Sequence, residues 1–359
     1  MLLSEQLGRI AEMHGGELPL PAGPGPGALN ERNADAYLWL ARDIAQAPGS
    51  VLPMGSVCSV GNDGNAVKFA DPETGQLARD FYHNPVTGQT VNSIGLKQFG
   101  IREAVRILPE AEKIAQDVGK LLKVSVSTLG DEDASVVLPE LMERVYEAVR
   151  NPQQVVVEAN LGCPNKVEES GLRHPILGLD PEATAVVADA VDERLGKGLP
   201  RGYKLSYYEE ETGQLTTGYP VLRSVLQVIA ASEGADFVSL TNTEVGVRLK
   251  MPDGAYALDR IPGNAGGGGG PHYKEASYQQ LLLARRGLPG HIDVVSLTGV
   301  WDGAEVRRRE LGGAVLSEMV SRLWVEGERD DVTYGEVMKR VYREYIEART
   351  LEEAASGSL

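Results

Sequence analysis

From residue 51 onward, short apolar runs rich in β-branched residues alternate with longer stretches whose apolar positions recur at helical spacing. The runs at 51–60, 123–128, 155–160, 202–207, 236–241, 292–297 and 313–319 are predicted as strands. The stretches at 102–118, 135–150, 181–195, 220–233, 275–286 and 303–311 are predicted as the intervening helices. Near-continuous apolar strands belong to a parallel sheet covered on both faces. Regular strand–helix alternation places those helices outside it. With an eighth strand from residues 19–23, the pattern implies a single-domain (β/α)8 TIM barrel with inserted loops and hairpins. The insertion is 61–91, where NDGN, DPETG and NPVTG mark turns.

The flanks read differently. Helices at 3–14 and 31–47 enclose a Pro/Gly loop at 19–29, so residues 1–50 are expected to pack on a barrel spanning 51–345. VTYGEVMKRVYREYIEAR is predicted as an amphipathic helix, with residues 346–359 as a C-terminal tail whose end, EEAASGSL, is disordered.

A chain of 359 residues accommodates one barrel, which needs about 250 residues plus insertions. The net charge of −16 argues against nucleic acid or an anionic membrane as partner. No apolar stretch approaches the roughly 20 residues that span a bilayer. The N-terminus lacks a basic flank before an apolar core, so a cytoplasmic protein is expected. Cys58 and Cys163 are the two cysteines, too few for a disulfide framework or a cysteine-ligated Fe–S cluster within this chain. The five histidines are scattered and no HxxEH or CxxC signature occurs, so no metal site is expected.

Candidate chemistry concentrates where strands end. The run at 155–160 closes in Asn160, followed by Cys163, Pro164 and Asn165. Barrels place their reactive groups at the carboxyl ends of strands. As a thiolate Cys163 is a nucleophile or base, although a free Cys is also commonly an inert core residue. Asn92, Asn160, Asn165 and Asn242, with the Thr243 hydroxyl, offer paired donors and acceptors suited to a planar cyclic imide, or else cap turns. Lys204 ends its strand and can face an anionic ring, form a Schiff base, or extend along the barrel rim. The glycines at 266–270 permit close approach of a phosphate, or form a mobile linker.

NSIGLKQFG at 92–100, NLGCPN at 160–165, YKLSYY at 203–208, VSLTNT at 238–243 and GGGGGPHYK at 266–274 occur in the order found in dihydroorotate dehydrogenases. SLTGVWDG at 296–303 and GGAVLSEMVSRLWVEG at 312–327 continue the series. Over residues 50–345 the chain resembles the class 1 branch, which uses a cysteine base, more than the membrane-associated branch with a serine. The resemblance implies an FMN-dependent oxidoreductase of pyrimidine biosynthesis, generally a homodimer. It acts on a C–C bond beside a carbonyl in a small cyclic amide such as dihydroorotate. Cys163 and Lys204 would be catalytic. Asn92, Ile94, Gly95, Leu96, Asn160, Asn165, Asn242 and Thr243 would hold substrate. FMN would touch Ala22, Gly23, Ser56, Asn160, Lys204, Thr241, Gly267, Gly268, Thr298, Gly299, Val320 and Ser321. The 61–91 insertion and the C-terminal helix are candidates for the dimer interface.

The chain departs from the family pattern at three places. A paired glycine reads Thr298-Gly299, and the usual Gly-Thr reads Val320-Ser321. Met54-Gly55-Ser56 stands where the family carries a Thr-Lys-Ser lysine that helps hold flavin and substrate carboxylate. Lys97-Gln98 replaces a Pro-Asn, so Lys97 either restores that charge from another direction or the substrate lacks the carboxylate. A related ring in a specialised pathway, a flavin-free Lys204 lyase and a non-catalytic barrel remain open as alternatives. Fumarate, oxygen, quinone or a partner subunit all remain as electron acceptor.

Overall fold

The computed structural model describes residues 3–15, 20–29, 33–168, 170–209 and 219–356. Their strands, in chain order, are β1 (Ala22–Pro24), β2 (Val51–Val57), β3 (Phe81–His83), β4 (Thr90–Asn92), β5 (Leu121–Val126) and β6 (Val155–Asn160). These are followed by β7 (Arg201–Lys204), β8 (Ala235–Leu240), β9 (Glu244–Val247), β10 (Gly266–Gly269), β11 (Asp293–Ser296) and β12 (Leu316–Met319). Eight of them pair in parallel in the order β1-β12-β11-β8-β7-β6-β5-β2. The Ser50 N–H donates to the Ala22 carbonyl at 2.9 Å, drawing the two ends of that order together into a nearly closed barrel. The (β/α)8 architecture is therefore the one the alternation implied.

Helix starts follow local chemistry. Asp133, Asp180 and Asp302 each accept a first-turn backbone N–H, starting the helices Ala134–Ala148, Pro181–Leu195 and Gly303–Leu311. Asn33 does the same for Ala34–Ala45, the observed form of the predicted 31–47 helix; residues 31 and 32 lie outside the described residues. The predicted eighth strand is β1, so the barrel begins at Ala22 rather than at residue 51. The last helix, Tyr334–Ser356, continues past residue 346, correcting the predicted tail, of which 357–359 lie outside the described residues. Val337, Met338, Val341 and Tyr345 bury one face of that helix against Val306 and Leu323, and this packing carries it onward.

The barrel is closed below and polar inside. Leu3, Leu7 and Ile10 of the N-terminal helix cover its amino-terminal end, packing with Val51, Leu121, Val156, Phe237, Val295 and Leu316. Above that layer Lys123 of β5 lies 2.6 Å from Glu158 of β6 and 2.7 Å from Glu318 of β12, with all three side chains at 0% exposure. Its ammonium also donates to Ser239 Oγ at 3.0 Å, and Ser239 donates to Glu158. Burial works against the Lys123 charge, but the two carboxylates outweigh it and hold the lysine pKa above its ordinary value. Burial likewise opposes the Glu158 charge, yet Lys123 and Lys204 keep its pKa low, whereas burial leaves Glu318 raised.

A second, antiparallel sheet in the order β3-β4-β10-β9 reaches over the carboxyl ends of the barrel strands. Thr90 Oγ1 of β4 lies 3.1 Å from Ser321 Oγ, which tethers this sheet to the segment after β12. The insertion 61–91 supplies the β3–β4 hairpin and the glycine run supplies β10, so that run is a buried strand and not a linker.

Candidate active site at the carboxyl ends of the strands

Between the two sheets lies a cleft of about 100 Å³. Ser56, Asn92, Ile94, Gly95, Leu96, Asn160, Cys163, Asn165, Lys204, Asn242, Thr243, Val320 and Ser321 line it. Sequence reasoning named all of these, from positions as far apart as 56 and 321. Gly27, Pro164 and Trp324 also line it and were missed. Pro164 lay inside a quoted motif. Gly27 was hidden in a Pro/Gly loop, and Trp324 in a helix whose apolar positions read simply as packing. Trp324 is seated by an edge-on contact with Phe81, at 5.0 Å between ring centroids, and nothing local in the sequence reports that pairing.

The carboxamides form two linked groups. Asn160 donates to Ser56 Oγ at 2.9 Å, its Oδ1 accepts the Gly162 N–H at 3.2 Å, and Asn242 approaches that oxygen at 3.4 Å. Asn165 donates to Asn92 Oδ1 at 2.8 Å, and Asn92 donates to the Gly267 carbonyl at 3.1 Å. Asn165 Oδ1 remains buried with no hydrogen-bond partner among the described residues. The turn from Asn160 to Cys163 needs a glycine, since a Cβ on Gly162 would lie 2.6 Å from the Leu205 carbonyl. Gly95, at φ +70°, leaves similar room for Asn65, which donates to the Asn165 carbonyl at 3.1 Å.

Cys163 is 9% exposed and packs in a small cluster with Cys58 and Leu96. Burial pushes its thiol pKa up, opposed by the Lys166 ammonium, the Asn165 backbone N–H and Lys204. Lys166 is held by Thr128 Oγ1 at 2.7 Å. The loop is also clasped by His174, whose two ring nitrogens lie 3.3 Å from Asp131 and 3.3 Å from Glu168. These three side chains come close enough to share an ion, but two of them are carboxylates open to water and nothing further marks a metal centre.

Lys204 is 7% exposed and lines the cleft; its carbonyl accepts the Leu161 N–H at 2.9 Å, and its side-chain charge acts on Glu158 beneath it. A nearly buried ammonium suits a ligand that presents an acceptor or a negative charge at that point. At the far end, Val320, Ser321 and Trp324 bring the amino terminus of helix Ser321–Asp330 onto the cleft, an arrangement suited to an anionic group. The donor set therefore fits a ring system carrying a phosphate tail.

Ala22, Gly23, Thr241, Gly267, Gly268, Thr298 and Gly299, expected at the cofactor, do not line the cleft. Ala22 and Gly23 pair with β12 within the barrel wall. Gly267 and Gly268 are paired into β10, packed so closely that a Cβ would meet Thr243 Oγ1 at 2.0 Å or Tyr273 OH at 2.4 Å. Thr298 turns its hydroxyl onto the Thr241 and Asn242 carbonyls at 2.8 and 3.1 Å, and Gly299 abuts the Lys274 backbone. Thr241 Oγ1 is buried without a partner. Lys97 is absent from the lining as well; the charge it faces is that of Asp80.

Fold and cleft together define a (β/α)8 barrel with its polar groups gathered where such barrels carry their chemistry. No protein-family model matches the chain. A stretch of 116 residues is 34% identical to dihydroorotate dehydrogenase A (fumarate) of Lacticaseibacillus paracasei, covering 32% of this chain and 34% of that protein. A longer stretch of 227 residues is 26% identical to the catalytic subunit of dihydroorotate dehydrogenase B (NAD(+)) of Bacillus pumilus, covering 62% of each. The chain thus spans about a third and about three fifths of the length of these curated relatives. Its structure superposes on that of the dihydroorotate dehydrogenase of Eimeria tenella, solved in complex with ferulenol. The TM-score is 0.65 at 15% identity, over 93% of this chain and 82% of the other. In sequence, at low identity, and in fold the chain is thus similar to dihydroorotate dehydrogenases. Among the described residues no helix is long and apolar enough to cross a membrane.

Proposed function

We propose that this protein is a cytoplasmic, FMN-dependent oxidoreductase that desaturates, or in reverse reduces, a C–C bond beside a carbonyl in a small cyclic amide. The observation that carries the reading is the nearly buried Lys204 ammonium in the same cleft as the Cys163 thiol and four carboxamides. Bound FMN would supply the hydride acceptor. The chain's own residues do the rest. Lys204 would stabilise negative charge on the reduced ring, and Ser56 and Asn160, hydrogen-bonded to one another at 2.9 Å, would help hold it. Asn92, Asn165, Asn242 and Thr243 orient the amide edges. Cys163 takes a proton from the carbon beside the one that loses hydride, and returns it in the opposite direction.

A visible absorption spectrum of the purified protein, with and without added FMN, tests the cofactor. A flavin spectrum is expected in the native protein, and Lys204→Ala should weaken FMN retention or slow its reduction. A colourless protein that FMN cannot reconstitute would overturn the reading. A homodimer, as in class 1 enzymes, is the expected assembly. The C-terminal helix already spends one face on the barrel, which leaves its outer residues, Ile346 and Leu351 among them, for a partner. Light scattering at micromolar concentration should give twice the mass of the chain, and a strict monomer would refute the dimer without touching the chemistry.

A further inference from the structure

We propose that the cleft selects an uncharged ring: a cyclic amide or imide that presents a ring N–H and bears no carboxylate. This deepens the flavin reading above and rests on it. Among the described residues, Lys204 is the one cation in the cleft lining. Its charge is engaged on two sides, by the reduced flavin ring it is assigned to stabilise and by Glu158 beneath it. No other lysine lines the cleft. Lys97 is absent from the lining, Lys166 donates to Thr128 at 2.7 Å beside the thiol, and Lys123 is paired twice below the site. From β2 only the Ser56 hydroxyl lines the cleft, while Met54 is buried in the core with the helices.

A substrate carboxylate would therefore lose its water against Ile94, Leu96 and Val320 with no cation in the lining besides the Lys204 already engaged. The global charge of −16 works in the same direction. A ring N–H, by contrast, meets a built acceptor. Asn165 Oδ1 is buried, lines the cleft and lacks a partner, while its Nδ2 is fixed on Asn92. Donor complementarity and charge exclusion point to the same class of ligand.

The experiment uses the FMN-loaded protein. Anaerobic stopped-flow would follow flavin reduction by 5,6-dihydrouracil and by dihydroorotate, and flavin absorbance titrations would compare uracil with orotate. The uncharged ring is expected to be favoured by about 100-fold or more in kcat/KM, the scale set by a buried unpaired charge. Ile94→Lys, which brings an ammonium to the half-buried rim, should narrow that gap by about tenfold through tighter orotate binding. Equal use of the two rings, preference for the carboxylate, binding of neither, or no response to Ile94→Lys would each overturn the proposal. If the protein holds no flavin, the flavin reading fails separately. Calorimetry of uracil and orotate on the same protein then decides the charge question, with tighter uracil binding supporting it and any other result refuting it.

Discussion

Replacing Cys163 by alanine is expected to lower the rate of flavin reduction by about 10²–10⁴-fold while leaving FMN in place, the usual cost of losing a general base. FMN retention follows from geometry, since Lys204 and the end of the cleft at Val320–Ser321 are on elements separate from the Cys163 loop. The pH dependence identifies the proton carrier. Burial raises the thiol pKa, and Lys166, the Asn165 N–H and Lys204 offset that only in part. In the desaturating direction the thiolate is the active form, so the rate should climb with pH through the alkaline range. In the reducing direction the thiol must donate, and the rate should fall over the same range. Cys163→Ser should keep some activity and shift the rising limb to higher pH, because a hydroxyl is the weaker acid. The test is stopped-flow reduction across pH with whichever ring the wild-type enzyme uses. Reduction of wild-type speed in Cys163→Ala would remove Cys163 from the mechanism.

The largest effect on stability is expected from Lys123→Met. The substitution leaves Glu158 and Glu318 facing one another at 0% exposure with their shared cation gone, a situation that costs roughly 3–5 kcal/mol. Its pH signature has a definite sign. In the wild type Glu158 titrates below its ordinary value, so its contribution is present above the unfolded pKa and is lost as pH falls through the folded one. In the variant both carboxylates are raised by burial and mutual repulsion, so the folded state binds more protons than the unfolded one and loses stability as pH rises. The deficit should thus be greatest near neutrality and shrink toward about pH 4.5, where both groups can be neutral. Urea unfolding at two pH values measures it, and a deficit independent of pH would show that the triad is not the cause. Lys123→Met/Glu158→Gln/Glu318→Gln should recover part of the loss, because it removes the charges together.

Much of the site was legible before folding, and the reason is local. A run such as VVVEAN closes in Asn160 and places Cys163 and Asn165 beyond it, and a buried parallel strand has one reactive end. The motifs carrying Asn92, Lys204, Asn242 and Ser321 could therefore be assigned to one rim without knowing their distances. The helices at 135–150, 181–195 and 303–311 were legible from apolar spacing, and the structure adds their caps, Asp133, Asp180 and Asp302.

What the sequence by itself determined was the kind of barrel and the identity of the groups along one rim. The tertiary structure alone decided which of those groups share a cleft. It drew the glycine run into β10, where it pairs with β4 and β9 and does not line the cleft. It left Lys97 out of the cleft lining, a placement that spacing along the chain does not encode. Lys123 was joined to Glu318 across 195 positions, a match made only when β5 and β12 curl into one closed interior. Strand ends are set by short-range pattern. The charge that a cleft will tolerate is set by long-range pairing, and that belongs to the fold.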